Sequence, residues 1–485
     1  MRKVKVRTLY LIAIIVGGLV GLATKSTYAM FTASAEIDNP ICMSANLTSE
    51  EETIETMEVV VTAGEKKTVP VTINNTSTNT VGYSVWYTSP SDEVEIGIKL
   101  SNSDSSNSTG TISSNGSKKV YVQIINNSSS SVTISLGVIS NKTSNDMTLI
   151  PNTELVFRDT AVETITKLYT NAVKTTTTLD SVTYNLASSV GLMNDRKGSM
   201  STGIDAGNIR YYGTDPNNYI YFNCSDYGNQ SSDTCETWRI IGIFDGKVKI
   251  MRNEIIGEYS WDSSASGINS GWGVNEWSQA DLMKLLNSGY ESETVGGSLY
   301  WNAKSGTCYN DSKNATTACN FTSIGLKNDV TRNLISEETY YTRGCNSSIY
   351  VGAMYDKERV SGTVYDSTRS TTWTGKIAIP YPSDYGYAAD LNLCQQNLFG
   401  YENSICTASN WMYNIITNNG ANSGWLLTPA SGYMYGAWYV YSSGGVADTV
   451  YSYAGYGVVP VLSLSSELGI KPGTGTSSEP YQLSI

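Results

Sequence analysis

Residues 236–256 read ETWRIIGIFDGKVKIMRNEII, and this stretch decides the fold class of the C-terminal half of the chain. Its centre is an Asp-Gly pair at 245–246, which is typical of a two-residue turn between antiparallel strands. Apolar residues alternate on both sides of the pair, at Ile241 and Ile243 and at Val248 and Ile250. The stretch therefore predicts a β-hairpin, and YYGTDPNNYIYFNC before it predicts further strand.

Helical patterns follow the hairpin at 275–290, 323–338 and 409–420. Apolar residues share one helix face in each: Leu282, Leu285 and Leu286; Leu326, Val330 and Leu334; Trp411, Met412, Ile415 and Ile416. The chain then returns to strand-like runs and ends them with YGVVPVLSL at 456–464, which is apolar on both faces and predicts a strand buried on both. Strands mixed with short helices predict an α+β domain over residues 206–485.

The segment before this domain shows a different pattern. Apolar residues alternate in short runs: Val69, Val71 and Ile73; Val81, Tyr83, Val85 and Tyr87; Val132, Ile134, Leu136 and Val138. Polar turn sequences such as SSNGS and NNSSSS separate the runs, so we predict an antiparallel β-sandwich over residues 51–145. Residues 61–85 resemble the immunoglobulin-like domains of bacterial surface proteins, which are spacers or adhesive modules, and we expect a spacer here. Thr160 and Glu163 form a capping-box pattern ahead of helical spacing, which predicts a helical connector over 146–205.

The N-terminus carries an export signal. MRKVKVR is basic, residues 9–23 form a 15-residue apolar run, and Ala29 offers a cleavage position. This order predicts a signal peptide at 1–29, followed by a polar leader at 30–50. The alternative is an uncleaved membrane anchor at 9–23. TYAMFTAS (27–34) resembles the signal junctions of bacterial biofilm-fibre and camelysin-type proteins, and either interpretation places the chain outside the cytoplasm.

Eight cysteines follow, in a compartment where disulfides persist. Six fall into closely spaced pairs that bracket loops: Cys224 and Cys235, Cys308 and Cys319, Cys394 and Cys406. We predict three local disulfides, although other connectivities stay open from sequence alone. Cys42 and Cys345 are left over, and the sequence does not decide whether they pair with each other, pair between chains or stay free.

Composition removes several classes of function. The chain has 32 Lys and Arg against 44 Asp and Glu, a net charge of −12, which argues against nucleic acid as a partner. It has no histidine, which removes Ser-His and Cys-His nucleophiles and most catalytic zinc sites. Aspartates that calcium would need are scattered: Asp226, Asp233, Asp311, Asp384 and Asp390. We therefore predict a protein that is not an enzyme and holds no metal or cofactor, although spacing alone leaves open a glycosidase that uses a pair of carboxylates.

Residues 436–464 (GAWYVYSSGGVADTVYSYAGYGVVPVLSL) concentrate aromatic residues near the C-terminus. The chain has 34 tyrosines and only 6 phenylalanines, and a buried tyrosine hydroxyl needs a partner, so the excess favours half-exposed positions. We predict that Trp425, Leu427, Trp438 and Val440 fill a core and that Tyr456 is structural. The candidate ligand-binding residues are Tyr433, Tyr435, Tyr439, Tyr441, Tyr451 and Tyr453.

Six motifs in a fixed order carry a family resemblance: TWRIIGIFDGKVKIM, NEWSQADLMKLLN, PSDYGYA, GWLLTPASG, AWYVYSSGGV and YGVVPVLSL. They resemble an uncharacterised bacterial domain family with the C-type-lectin-like fold of formylglycine-generating enzymes and retroelement-diversified display proteins. The resemblance covers roughly residues 208–464. The family commonly has arginine where this chain has Val459, so any role of that arginine does not transfer. The reactive cysteine pair of the enzyme branch has no counterpart beside the C-terminal strands.

The whole sequence resembles exported surface proteins of gut-dwelling Gram-positive bacteria. The resemblance implies a mainly β chain, with an immunoglobulin-like β-sandwich followed by a C-type-lectin-like domain. We expect a secreted or cell-surface recognition or adhesion protein that binds a glycan or protein ligand through its aromatic C-terminal strands. The alternative is a structural matrix or fibre protein that self-associates through the same segment.

Overall fold

The computed structural model describes residues 43–47, 54–63, 65–99, 107–128, 130–140, 148–153, 155, 159–197, 207–263, 272–347, 349–466, 468–471 and 473–484. The predicted signal peptide or anchor and Cys42 lie outside these residues. The chain divides into two compact units, Met1–Arg158 and Asp159–Ile485. The chain is mainly β, as the sequence predicts, and the second unit also contains helices.

The first unit contains strands β1 Met43–Leu47, β2 Ile54–Val61, β3 Lys66–Asn75, β4 Val81–Thr88, β5 Val94–Ile98, β6 Thr109–Ile112, β7 Ser117–Asn126, β8 Val132–Ser140 and β9 Thr148–Leu149. One sheet has the order β1-β3-β7-β5, and the other has the order β2-β8-β4-β6 with β9 also on β4. The pairing of β1 with β3 is parallel, whereas the other pairs are antiparallel.

The two sheets of the first unit share one hydrophobic core. The alternating residues at 69, 71 and 73 on β3 and at 132, 134, 136 and 138 on β8 all lie in it. Side chains of a strand point alternately to its two faces, so period-two apolar residues bury one face of each sheet. The predicted alternation is confirmed, and a two-sheet sandwich arrangement follows from it.

Two buried asparagines fix turns of this unit in the same way. Asn126 donates through Nδ2 to the carbonyls of Val61 (2.9 Å), Thr62 (3.0 Å) and Ser130 (2.9 Å), while its Oδ1 accepts from Ser128. Asn75 binds the carbonyls of Asn79, Ile112 and Ser113 with the same amide nitrogen. Each side chain therefore satisfies backbone groups that strand pairing leaves over.

We expect Asn126→Ala to lower the free energy of unfolding of the first unit by about 2 kcal/mol, because buried carbonyls lose their donor. Urea denaturation followed by circular dichroism measures this loss. The neighbouring Asn127→Ala is the matched control, since Asn127 is exposed and its side chain bonds only Glu95 among the contacts described. A loss for Asn126→Ala no larger than that of the control would contradict the assignment.

The second unit contains strands β10 Thr175–Leu179, β11 Val182–Ala187, β12 Leu192–Asn194, β13 Ile209–Tyr211, β14 Tyr219–Phe222, β15 Glu236–Phe244, β16 Lys247–Arg252, β17 Glu258–Tyr259, β18 Ser305–Tyr309, β19 Thr316–Asn320, β20 Glu338–Tyr341, β21 Thr372–Gly375, β22 Ile377–Ala378, β23 Gly424–Pro429, β24 Gly436–Val440, β25 Val446–Tyr451, β26 Tyr456–Gly457, β27 Val461–Ser463, β28 Gly469–Ile470 and β29 Leu483–Ser484. Its helices are α1 Ala161–Asn171, α2 Asp281–Leu286, α3 Asp329–Asn333, α4 Val351–Asp356, α5 Pro382–Tyr387, α6 Ser404–Ala408 and α7 Tyr413–Ile416. A π-helical turn at Lys357–Ser361 continues α4.

Two larger sheets organise this unit. One has nine strands in the order β10-β11-β12-β13-β15-β16-β27-β22, with β14 also on β15. The other has the order β17-β26-β23-β24-β25. The hairpin predicted at 236–256 is β15 and β16 of the nine-stranded sheet, and its turn residues Asp245 (φ +47°) and Gly246 (φ +75°) both take the left-handed conformation that such a turn requires.

Residues 159–197, which the sequence analysis assigns to a helical connector, lie in the second unit. The capping box is present, with Thr160 Oγ1 accepting from Glu163 N (3.1 Å) and Glu163 Oε2 accepting from Thr160 N (2.7 Å). Ile165 and Tyr169 on α1 are buried in the same core as Trp238. Strands β10 to β12 continue the nine-stranded sheet.

The later helices form where predicted but are shorter than their apolar patterns. Asn328 caps the start of α3 by accepting from Thr331 N (2.9 Å), and the helix ends at Asn333. Ile335 then bridges to Leu464, so the chain leaves the helix to pair with the end of a strand. Tertiary pairing therefore outweighs helix propensity in this segment.

Two hydrophobic cores lie against the C-terminal strands. Val458, Leu462 and Leu464 belong to one core and Val459 and Val461 to the other, so the segment is buried on both faces as predicted. It is not one strand, because β26 (Tyr456–Gly457) and β27 (Val461–Ser463) belong to different sheets. Strand β24 is covered in the same way: Ala437 and Tyr439 face the first core, and Trp438 and Val440 face the second.

Candidate binding site

The β24–β25 hairpin gathers four of the six predicted tyrosines at one end. Gly436 pairs with Tyr451, so the loop that precedes β24 and the turn that follows β25 meet. The ring centroids of Tyr435 and Tyr451 lie 4.9 Å apart and those of Tyr451 and Tyr453 lie 5.4 Å apart, both stacked, and Tyr433 lies 6.4 Å from Tyr435. Tyr433 is 46% exposed and Tyr451 is 37% exposed.

Trp272 completes this group. Its ring centroid lies 4.9 Å from that of Tyr451 and 5.9 Å from those of Tyr435 and Tyr453. Trp272, Tyr435 and Tyr453 are half-buried. We call these five residues, Trp272, Tyr433, Tyr435, Tyr451 and Tyr453, the aromatic cluster. Rings in mutual contact present rigid, amphipathic area that loses little conformational entropy on binding.

A buried side chain holds the loop that carries Tyr433 and Tyr435 in place. Asn275, which is 2% exposed, donates from Nδ2 to the carbonyls of Ala430 (2.8 Å), Tyr433 (2.8 Å) and Gly436 (2.5 Å). Arg369 donates to Asn275 Oδ1 and to the carbonyl of Met434 (3.2 Å). One buried amide thus holds three carbonyls of the loop, which preorganises the cluster.

A pair of carboxyl groups, the buried Asp262 and the half-buried Asp281, supports the segment that carries Trp272. Asp262 accepts from Val274 N (2.5 Å) and Asp281 N (3.1 Å), and Asp281 accepts from Ser263 N (2.8 Å). Burial, and then the neighbouring Asp281 carboxylate, raise the pKa of Asp262 well above its usual value. Ser452 N bonds Tyr435 O and Ser452 O accepts from Asp262 N, so the pair connects to the tyrosine strands.

The two remaining candidates lie elsewhere. Tyr439 is 7% exposed and packs on Trp425 and Tyr456, at 6.4 and 5.2 Å between centroids. Tyr441 is half-buried and lies 4.8 Å from Tyr439. Burial, and then the Tyr441 hydroxyl, raise the pKa of Tyr439. The structure therefore does not bring Tyr439 to the surface, because both faces of its strand are covered.

A second group of charged side chains lies inside the second unit, and all of its members except the slightly exposed Arg359 are buried. It comprises Asp195, Arg210, Lys249, Glu358, Arg359 and Asp384, which we call the charge cluster. Arg210 binds Asp195 (2.5 Å) and Asp384 (2.9 Å), Lys249 binds Asp384 (2.5 Å), and Arg359 binds Glu358 (2.5 Å). Its three positive and three negative charges balance.

Burial and charge shift the pKa values of the charge cluster in opposite directions. Burial alone would raise the pKa of Asp384, but Lys249, Arg210 and Arg359 outweigh it and hold that pKa well below its usual range. Burial raises the pKa of Glu358, against the opposing effect of Arg359 and Ser383. Burial also lowers the pKa of Lys249, with Asp384 acting against it. Asp195, Glu358 and Asp384 are each at most 1% exposed, so we interpret the charge cluster as structural.

All three predicted disulfides are present: Cys224–Cys235, Cys308–Cys319 and Cys394–Cys406. They fit an extracellular environment. Cys345 is buried and, within the described part of the chain, belongs to no disulfide. The described residues contain no group of three or more Cys, Asp or Glu placed to hold a metal ion. They also contain no helix long and apolar enough to cross a membrane.

Sequence reasoning missed Trp272, Asn275 and the charge cluster. Trp272 lies more than 160 positions before Tyr435, in a GWG sequence with no periodic signal of its own. Asn275 reads as an ordinary polar residue ahead of a helix. A useful signal for the charge cluster was available, because Arg210, Lys249 and Asp384 stand inside apolar strand or helix patterns, where a charge needs a buried partner.

Comparisons with known proteins add little to this geometry. No family model matches the chain, and no curated protein matches it. Among solved structures, Aeromonas hydrophila PliG, a periplasmic lysozyme inhibitor of g-type lysozyme, matches at 12% sequence identity and a TM-score of 0.12. That match covers 21% of this chain and 99% of the other chain. A likeness at this TM-score carries no conclusion about fold or function.

Proposed function

We propose that this chain is an exported recognition or adhesion protein without catalytic activity, and that the aromatic cluster contacts its glycan or protein ligand. In this proposal the first unit is an immunoglobulin-like spacer and the second unit is a C-type-lectin-like domain. Two sheets around one core support the first part. The order of the sequence motifs that resemble that domain family supports the second.

One observation carries the proposal: five aromatic rings gather at one end of a hairpin, part of their surface is exposed, and a buried asparagine fixes the loop beneath them. Binding surfaces concentrate energy in a few tyrosines and tryptophans at rigid positions. A cluster needed only for packing would place these rings inside, as the same strands do with Trp438 and Tyr439.

The test is binding of the labelled exported protein to a glycan array and to bacterial and epithelial cells. We expect Tyr435→Ala and Tyr451→Ala each to weaken binding by about tenfold or more, as for interface hot spots. Tyr341→Ala is the matched control, because Tyr341 has the same 37% exposure as Tyr451 and lies on β20, outside the cluster. We expect this control to bind normally.

The same experiment distinguishes ligand recognition from the alternative of self-association. Absence of binding to every surface, together with polymerisation that grows with protein concentration and is lost in Tyr451→Ala, would replace recognition by self-association. Equal loss of binding in Tyr341→Ala and Tyr451→Ala would show that the cluster has no special part in recognition.

A further inference from the structure

One ring of the aromatic cluster, that of Trp272, already contacts a cation that the chain itself supplies. The Lys313 ammonium nitrogen lies 3.3 Å from the centroid of the Trp272 ring. Lys313 is exposed, so its ammonium could be solvated by water, yet it lies over the indole face. Indole is the aromatic side chain that attracts cations most strongly.

The loop around Lys313 is built to place it there. Residues 310–315 connect β18 to β19, and the Cys308–Cys319 disulfide joins the two strands. The Ser263 hydroxyl accepts from Asn314 N (3.0 Å) and donates to Ser312 O (3.4 Å), the two residues that flank Lys313. Ser312 and Asn314 both have left-handed backbone conformations, at φ +54° and +56°. The backbone is therefore fixed on both sides of Lys313.

The surroundings of Trp272 favour positive charge. Three tyrosine rings lie within 5.9 Å of its centroid, and aromatic rings grouped in this way recognise quaternary ammonium ions in proteins. The chain as a whole carries a net charge of −12, which attracts cations to its surface.

We propose that Trp272, with Tyr435, Tyr451 and Tyr453, forms a site for quaternary ammonium groups of the choline type, and that Lys313 is an internal competitor for that site. This proposal rests on the proposed function, because it assigns a ligand chemistry to the same surface. A ligand cation displaces the Lys313 ammonium from the indole face, and the lysine then becomes hydrated. The arrangement makes the affinity of the site depend on the residue at position 313.

The test is titration of the full exported protein with choline, measured by calorimetry, with the neutral isostere 3,3-dimethylbutanol as the comparison ligand. We expect choline to bind and the isostere not to bind. Lys313→Ala removes the competitor and should tighten choline binding by about three- to tenfold, while Trp272→Phe should weaken it by about tenfold. Lys304→Ala, an exposed lysine before β18, is the control and should leave the affinity unchanged.

Vesicles of phosphatidylcholine and of phosphatidylglycerol distinguish the source of the choline group. Selective binding to phosphatidylcholine vesicles indicates a lipid headgroup, and binding to choline alone indicates a soluble or polymer-linked one. The proposal is overturned if the isostere binds as well as choline, or if Lys313→Ala leaves choline affinity unchanged or lower. If choline does not bind while binding to arrays or cells still depends on Tyr435, the quaternary-ammonium site is wrong and the proposed recognition function remains supported.

Discussion

The Asp384→Ala variant is expected to lose about 3–5 kcal/mol of the free energy that stabilises the second unit against unfolding. Asp384 is 1% exposed and accepts from Arg210 and Lys249, so its removal leaves two buried cations short of a partner. In the variant Arg210 keeps its ion pair with Asp195. Lys249 loses Asp384, which is its one carboxylate partner among the described ion pairs. Urea denaturation followed by tryptophan fluorescence measures the loss, since every tryptophan except Trp86 lies in this unit.

The control for Asp384→Ala is Asp329→Ala. Asp329 makes an ion pair of 2.7 Å with Arg332, but its side chain is 91% exposed, so we expect a change below about 1 kcal/mol. If the two variants lose equal stability, the charge cluster contributes no more than a surface pair and our interpretation of it fails.

The charge of Asp384 also predicts a pH dependence. Its pKa in the folded chain is held well below the value of about 3.9 that an unfolded aspartate has, so its contribution to stability is complete above that value. The contribution is then lost as the pH falls from about 4 towards the depressed pKa. The stability difference between the wild-type protein and Asp384→Asn should therefore narrow below pH 4, and a difference that widens there would contradict this sign.

Trp438→Ala should destabilise the second unit by a similar amount, about 3–5 kcal/mol. Trp438 is 1% exposed, fills the core on one face of β24, and donates from Nε1 to the carbonyl of Cys345 (3.1 Å). Its truncation leaves a cavity between strands and helices and an acceptor without its donor. Trp438→Phe keeps most of the volume and should lose roughly half as much.

Tyr451→Ala gives the contrast within the same hairpin. Tyr451 is 37% exposed, so its truncation removes ring contacts at the surface and should cost about 1 kcal/mol or less. Thermal unfolding of Trp438→Ala, Trp438→Phe and Tyr451→Ala measures the three losses of stability side by side. A large loss in Tyr451→Ala would mean that the aromatic cluster is part of the core, and binding experiments with that variant would then report folding.

Local signals explain which predictions the structure confirms. The hairpin at 245–246, the alternation on β3 and β8, and three disulfides between near neighbours all depend on residues close together in sequence. Alternation also placed Tyr439 on the same face as Ala437. It could not show that this face is covered, because Trp425 and Tyr456, which cover it, come from other strands.

Long-range contacts explain what remained hidden. The aromatic cluster needs Trp272 from a segment far before the hairpin, and the charge cluster joins residues between 195 and 384. Neither pairing has a spacing rule, since each depends on how the sheets pack. The sequence predicts longer helices than the second unit contains for the same reason. After the helix Asp329–Asn333 ends, Ile335 pairs with Leu464 instead of continuing the helix.

The short reach of the three disulfides has a mechanical consequence. Each closes a loop of only 11 or 12 residues. In the part of the chain that the structure describes, no disulfide links one of the two larger sheets to the other. When force is applied at the chain ends, the residues between two bonded cysteines cannot extend. At roughly 3.3 Å for each extended residue, the three loops together remove only on the order of 110 Å from the length that the unfolded chain can reach. Resistance to pulling must then come from strand pairing and from the charge cluster, and once these yield, almost the whole unit can lengthen and absorb work under flow.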